Sequence, residues 1–291
     1  DDVGSWVTEY AILNAAKTGH VNILRFFKDD IGLTADDFRR VRDAGMTLIH
    51  IASQKGYVNV LRFLKDEIKL TADDFRTRDN YAIQWAARNG HLDVLKFLKD
   101  EVKLTADHFR AGNNAAIRFA ASTSHINVLK YLKDDVGFTV DDFRAVGNDA
   151  IRSAAENGHV DVLRFLKDEV GLKVDFRSDN NKAIHLAAST GHINVLKYFK
   201  EDVELTADDF RANDNRAIIA AAGYGHLAVL RFLKDGVNLN PTDFRAHDNF
   251  AIRAAAKKGH MNVLKYLKEE LGYSGLCLKR IRLKDSQKIV A

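Results

Sequence analysis

An all-α solenoid of eight stacked units is the fold class that this sequence predicts. Three observations predict it. Aligning Gly19-His20, Gly56-Tyr57, Gly90-His91, Ser124-His125, Gly158-His159, Gly191-His192, Gly225-His226 and Gly259-His260 gives spacings of 37, 34, 34, 34, 33, 34 and 34 residues. Proline occurs once in 291 residues, where average usage would give roughly 14, so the turn and edge chemistry of sandwiches and barrels is missing. Each copy also carries two stretches whose apolar residues fall at helical spacing.

Residues 79–112 serve as the type unit. Ile83, Ala86 and Ala87 lie on one face of a short first helix that Gly90 stops. In Leu92–Lys99 the pairs Leu92/Leu95 and Val94/Leu98 stand at i, i+3 and i, i+4 with charges between them, which predicts an amphipathic second helix antiparallel to the first. The Ala-Ala pairs allow first helices of neighbouring units to approach closely, while Leu, Val and Phe of the second helices fill the space between layers. No unit buries its apolar faces alone, so truncation by two units is expected to lower stability in steps.

The connections follow a second pattern. Leu-Thr-Ala-Asp-Asp-Phe stands at 33–38, 70–75 and 205–210, with variants at 104–109 and 138–143. Thr followed three residues later by Asp predicts a capped, very short third helix, with the Thr oxygen accepting from the next turn. Leu239-Asn240-Pro241-Thr242-Asp243-Phe244 puts the sole proline just after an Asn cap, where its missing N–H is harmless. Leu172-Lys173-Val174-Asp175-Phe176 is one residue shorter and is expected to be less regular.

Gly45-Met46-Thr47-Leu48-Ile49-His50-Ile51-Ala52-Ser53-Gln54-Lys55-Gly56-Tyr57 resembles the ankyrin-repeat signature, a Thr-Pro-Leu-His start followed by an Ala pair and a Gly-His turn. Ala-Ile-His-Leu-Ala-Ala at 183–188 and the Gly-His-hydrophobic-x-Val-Leu runs extend the match over about residues 10–272. The resemblance implies an ankyrin-like array in which the Leu-Thr-Ala-Asp-Asp-Phe helices take the place of the family's β-hairpin. The loop-helix variety is also similar to arrays in effectors of intracellular bacteria and in large DNA viruses.

The domain reading is an array at 1–272 and a C-terminal cap with a basic tail at 273–291. Leu276, Leu278 and Ile281 are expected to cover the last repeat. Lys and Arg number 44 against 40 Asp and Glu, a formal net charge of +4. Residues 279–291 hold five bases and one acid, so the body is neutral at 39 against 39. Such a balance argues against a nucleic-acid binder, and no run of 18 apolar residues spans a membrane. Asp1-Asp2-Val3-Gly4 echoes Asp134–Gly137, the end of a second helix. Cys277 is the sole cysteine, which excludes an internal disulfide and fits a reducing intracellular compartment. By the effector resemblance that compartment is a host cytosol.

Chemistry of other kinds finds no pattern. Seven of eleven histidines occupy the Gly-His turn, and His50 and His185 fall on the family's Thr-Pro-Leu-His histidine, leaving His108 and His247. Turn histidines about 8–10 Å apart are too distant to share a metal. Acidic pairs such as Asp36-Asp37 and Asp73-Asp74 recur copy after copy, as capping residues do and a catalytic pair does not. No phosphate-binding Gly loop, nucleophile elbow or zinc signature is present. No catalytic residue, cofactor or metal is therefore expected.

A binding surface is read from what varies. The position of Tyr81 reads Tyr10, Thr47, Tyr81, Ala115, Asp149, Lys182, Arg216, Phe250 along the array, and that of Trp85 reads Asn14, Ile51, Trp85, Phe119, Ser153, Leu186, Ala220, Ala254. With the series of Arg88 three residues further on, they form one stripe on the first helices, the face that lines the partner groove in the ankyrin family. Tyr81, Trp85, Arg88, Arg118, Phe119, Asp149, Lys182 and Arg216 are the candidate partner-binding residues, with aromatic and Arg anchors side by side. Trp85 stands where other copies carry Ser or Ala, so stacking does not demand its bulk. The function expected is a protein-interaction scaffold, monomeric, binding a partner protein such as a host protein and belonging to a larger effector. The alternative is a substrate-selecting module of an enzyme whose catalytic domain lies outside the chain.

Overall fold

The computed structural model describes residues 2–272. The chain forms two compact units, Asp1–Ala150 and Ile151–Ala291, each with four of the aligned turns. In every copy a first helix, such as Leu48–Lys55 or Ser178–Thr190, is followed by a second, such as Leu92–Asp100 or Ile193–Glu201. The expected core is observed: Ile83, Ala86, Ala87, Val94, Leu95 and Leu98 are fully buried, as are their counterparts in the second unit except Ala256 and Leu264 of the last repeat. Asp2–Gly4 instead open the long helix Asp2–Thr18, so their echo of Asp134–Gly137 is not structural. The expected cap and basic tail fall outside the described residues.

The Gly-His turn locks each repeat to the one before. Gly56, Gly90, Gly158, Gly191 and Gly225 have φ between +73° and +82°, and the histidine of the next repeat lies against each of them. The rings reach further back: Nε2 of His91, His226 and His260 bonds the carbonyls of Gln54, Ser189 and Gly223 at 2.9, 2.9 and 3.0 Å. The turn histidines are framework, as the spacing implies.

Short helices occupy the connections at Ala35–Arg40, Ala72–Phe75, Ala106–Phe109 and Pro241–Phe244, while the shorter copy forms the 3₁₀ turn Val174–Arg177. Pro241 sits at the helix start, with Asn240 Oδ1 accepting from the amides of Thr242 and Asp243. At the Thr caps the stronger half of the box is the reverse of the one expected. The Asp carboxylate accepts from the Thr backbone N–H at 2.8 Å in Thr34–Asp37 and Thr71–Asp74 and at 2.7 Å in Thr139–Asp142 and Thr206–Asp209. The bond to the Thr oxygen is long, 3.4 Å at both Thr139 and Thr206.

The same carboxylates tie successive connections together. Arg39 pairs with Asp74 at 2.9 Å and Arg110 with Asp142 at 2.8 Å in the first unit; Arg177 pairs with Asp209 and Arg211 with Asp243, each at 3.0 Å, in the second. Beneath them Phe38, Phe75, Phe109, Phe143, Phe176, Phe210 and Phe244 are buried, which anchors every connection to the core. Thr71→Ala is expected to cost roughly 0.5–1 kcal/mol and Asp74→Ala about 2 kcal/mol, because Asp74 also holds Arg39. Thr190→Ala, which loses only a back-bond to the Leu186 carbonyl, should cost least in the same urea titrations.

Between connection and first helix the backbone turns left-handed for three residues. Arg78-Asp79-Asn80, Gly112-Asn113-Asn114, Val146-Gly147-Asn148, Asp179-Asn180-Asn181, Asn213-Asp214-Asn215 and His247-Asp248-Asn249 all have φ between +50° and +63°. All but Arg78, Val146 and His247 are Gly, Asn or Asp, the residues that tolerate this region best. Asn114 then donates to the Asp142 carbonyl at 3.1 Å, joining its turn to the next connection. A β-branched residue at positive φ is an outlier, so Val146→Asn is expected to stabilise the chain by about 1 kcal/mol in thermal melts.

The junction with the 37-residue spacing differs. There the helix Ala35–Arg40 does not replace a hairpin but precedes one, Arg42–Asp43 paired with Met46–Thr47 around Ala44 (φ 47°) and Gly45 (φ 79°). The extra residues of that copy supply the hairpin, and Ala-Gly supplies its two left-handed turn positions.

Candidate interaction surface

The first-helix face of the first unit carries a continuous row of rings and guanidinium groups. Arg78 lies over the Tyr81 ring at 5.7 Å, and Tyr81 meets His50 and Trp85 edge to face at 5.8 and 6.3 Å. Arg88 stands between two rings, 5.3 Å from the Trp85 centroid and 5.6 Å from that of Phe119. Arg118 covers Phe119 at 5.2 Å and reaches Asp149 at 3.4 Å. Six of the eight candidate residues therefore form one connected group: Tyr81, Trp85, Arg88, Arg118, Phe119 and Asp149.

Their exposure departs from the sequence argument. Trp85 and Phe119 are half-buried rather than freely projecting, and the indole N–H is covered without an acceptor, so the ring offers its edge and face. Ile51 and Ala115, both on the expected stripe, are core. Arg88 is exposed, and among the described residues no carboxylate pairs with it. Arg118 is already engaged, because its position is the one from which His50 and His185 reach the next repeat. Arg78 was missed: it belongs to a left-handed turn, and the Asp-Asn that follows it was the signal.

The remaining candidates, Lys182 and Arg216, are exposed in the second unit. Arg216 lines a shallow hollow of about 220 Å³ with Asn213, Asp214, Ile219, His247 and Phe250. His247 approaches Asp214 at 3.4 Å, and Arg253 lies over the exposed Phe250 ring at 5.5 Å.

Titratable groups show framework chemistry. Burial pushes the His50 imidazole down to about 4, against a hydrogen bond to the Thr77 backbone that favours its charged form. Burial also takes His185 down to about 4, with the backbone of Ala212 opposing the shift. Neutral His50 accepts from the Thr47 amide at 3.1 Å while Nε2 faces the Thr77 hydroxyl at 3.1 Å. Among the described residues no three His, Cys, Asp or Glu side chains converge as metal ligands, and no helix is long and apolar enough to cross a membrane.

A family model described as ankyrin repeats (3 copies) matches residues 135–209 and 154–243. Residues 135–243 are ankyrin repeats. The helix pairs, Gly-His turns and capped connections of the matched repeats recur in the first unit, which extends the ankyrin reading to the copies before residue 135. Comparison with the curated proteins returns no match. Ankyrin repeats are in general protein–protein interaction modules, typically without catalysis.

Proposed function

We propose that the chain is a protein-interaction scaffold that holds a segment of a partner protein against the first helices of its first unit. The observation that supports this most is Arg88, an exposed cation held between the Trp85 and Phe119 rings with no carboxylate partner among the described residues. A guanidinium oriented by two rings loses little freedom when it takes a ligand, and rings plus Arg are what binding hot spots consist of. The segment that fits presents a carboxylate to Arg88 beside an apolar or aromatic side chain. The array performs no chemistry of its own in this reading, and it serves as the targeting module of a larger effector acting on a host protein.

Arg88→Ala tests the reading. With the partner recovered by affinity capture and its affinity measured by calorimetry, binding is expected to weaken by about 2 kcal/mol while stability stays within about 0.5 kcal/mol of the parent. Trp85→Ala and Phe119→Ala should weaken binding comparably, and because both rings are half-buried each should also cost about 1 kcal/mol of stability. Unchanged affinity in all three variants would place the partner elsewhere.

A further inference from the structure

We infer that the leading face of the first repeat is a docking site for a further ankyrin-type repeat that brings two arginines, a phenylalanine and a turn glycine. Ile23, Phe26 and Ile31 are 41, 49 and 52% exposed, whereas their counterparts Val60, Phe63 and Ile68 are 0, 2 and 5% exposed, and Val94, Phe97 and Val102 are 0, 2 and 7% exposed. The same side chains are core in the copies that follow and surface here. Three neighbouring apolar side chains at this exposure mark a covered face.

The internal junctions define what covers it. Phe63 receives the ring of Phe38 from the preceding connection at 5.8 Å, and Phe97 receives Phe75 at 6.0 Å. Glu67 receives Arg25 at 2.9 Å and Glu101 receives Arg62 at 2.6 Å, in each case from the preceding second helix. Asp74 receives Arg39. Tyr57 and His91 lie against Gly19 and Gly56.

On the leading face the acceptors of all four contacts stand in register: Phe26 for Phe63, Asp30 for Glu67, Asp37 for Asp74 and His20 for His91. Asp30 is exposed, and among the described residues it has no basic partner. A second copy docked through this same face would bring neither Arg25 nor Arg39, which are held by Glu67 and Asp74; Lys28 is held by Asp29 at 2.6 Å, and Arg40 lies beside its own Asp37 at 3.9 Å. The pattern is one-directional, and only the trailing side of a repeat of this kind completes it.

The test places a copy of residues 47–80 directly before Tyr10, in exchange for residues 1–9. Tyr10 is the equivalent of Tyr81, so the copy enters in register and its Gly56, Arg62, Phe75 and Arg76 face His20, Asp30, Phe26 and Asp37. Amide exchange over Val21–Asp29 is expected to slow by at least about tenfold. Phe26→Ala, mild in the parent chain, should lower Tm by several degrees in the extended one, and Asp30→Arg with Asp37→Arg should reverse part of the protection. No protection in the extended chain would overturn the inference. So would a concentration-dependent dimer of the parent chain that Phe26→Asp dissolves, because the face would then belong to a second copy.

Discussion

Gly191→Ala is expected to destabilise the array by about 3 kcal/mol. Its φ of +80° costs an alanine roughly 1–2 kcal/mol, and the new methyl would stand 2.6 Å from His226 Nδ1. Relieving that clash moves the imidazole and stretches its 2.9 Å bond to the Ser189 carbonyl, a further loss of about 1 kcal/mol. Gly259 separates the two effects. It has a φ of +75° but, among the described residues, nothing within 4 Å of an added Cβ, so Gly259→Ala should cost only the backbone share, about 1 kcal/mol. Ser124, which holds a φ of +61° without being glycine, gives the converse: Ser124→Gly should gain up to about 1 kcal/mol. Equal melting temperatures for Gly191→Ala and Gly259→Ala would mean that the turn histidine is not braced against the preceding glycine.

The second large effect is acid sensitivity above the carboxylate range. His50 and His185 are held at about 4, against an ordinary 6.5. A depressed imidazole means that the unfolded chain takes up the proton first. Their contribution to stability is therefore fully present above pH 7, falls as the pH drops from 6.5 toward 4, and is lost below that. The gap corresponds to roughly 3 kcal/mol for each ring. Asp37 acts in a lower window, because the Thr34 hydroxyl and then the Thr34 amide hold its carboxyl below the usual range. Denaturant titrations between pH 7 and 4.5 check this, with His185→Gln as the variant that removes one ring's share. Glutamine is admissible there because Gln84 occupies the same position and bonds the Asp79 carbonyl at 2.7 Å. A pH profile unchanged by His185→Gln would show that this imidazole is not buried neutral.

The period, the helix pairs and the capped connections were legible because each rests on recurring local chemistry: apolar spacing, a Gly-His stop in six of the eight copies, a Thr or Asn three residues before Asp in five of the connections. The left-handed turns were not, although Asp-Asn and Asn-Asn recur in front of the first helices. Read singly, Asn80 is an ordinary helix start, and only the run of three makes it a left-handed turn. The hairpin at Arg42–Thr47 was signalled by the 37-residue spacing and by Ala44-Gly45, but the neighbouring Leu-Thr-Ala-Asp-Asp-Phe helix concealed it. The connection phenylalanines close the Leu-Thr-Ala-Asp-Asp-Phe pattern, but only the tertiary fold shows them buried.

At the surface, variation along the repeat identified Tyr81, Trp85, Arg88 and Phe119. It could not tell how deeply the rings sit, because burial depends on the neighbouring repeat's side chains. Arg118 illustrates the limit: beside Phe119 in sequence it reads as an anchor, yet it is bonded to Asp149 of the next copy.

The most direct test of the scaffold reading is site-specific photocrosslinking, with a photoreactive residue at Asn89, exposed beside Arg88 at the end of the first helix, or at Lys96, exposed on the second helix. In lysate of the relevant cells, the probe at position 89, which keeps Arg88, should capture one protein that Trp85→Ala releases, and position 96 should not capture it. Capture of the same protein from position 96 alone, or with equal yield from both positions, would contradict a partner held between Trp85 and Phe119.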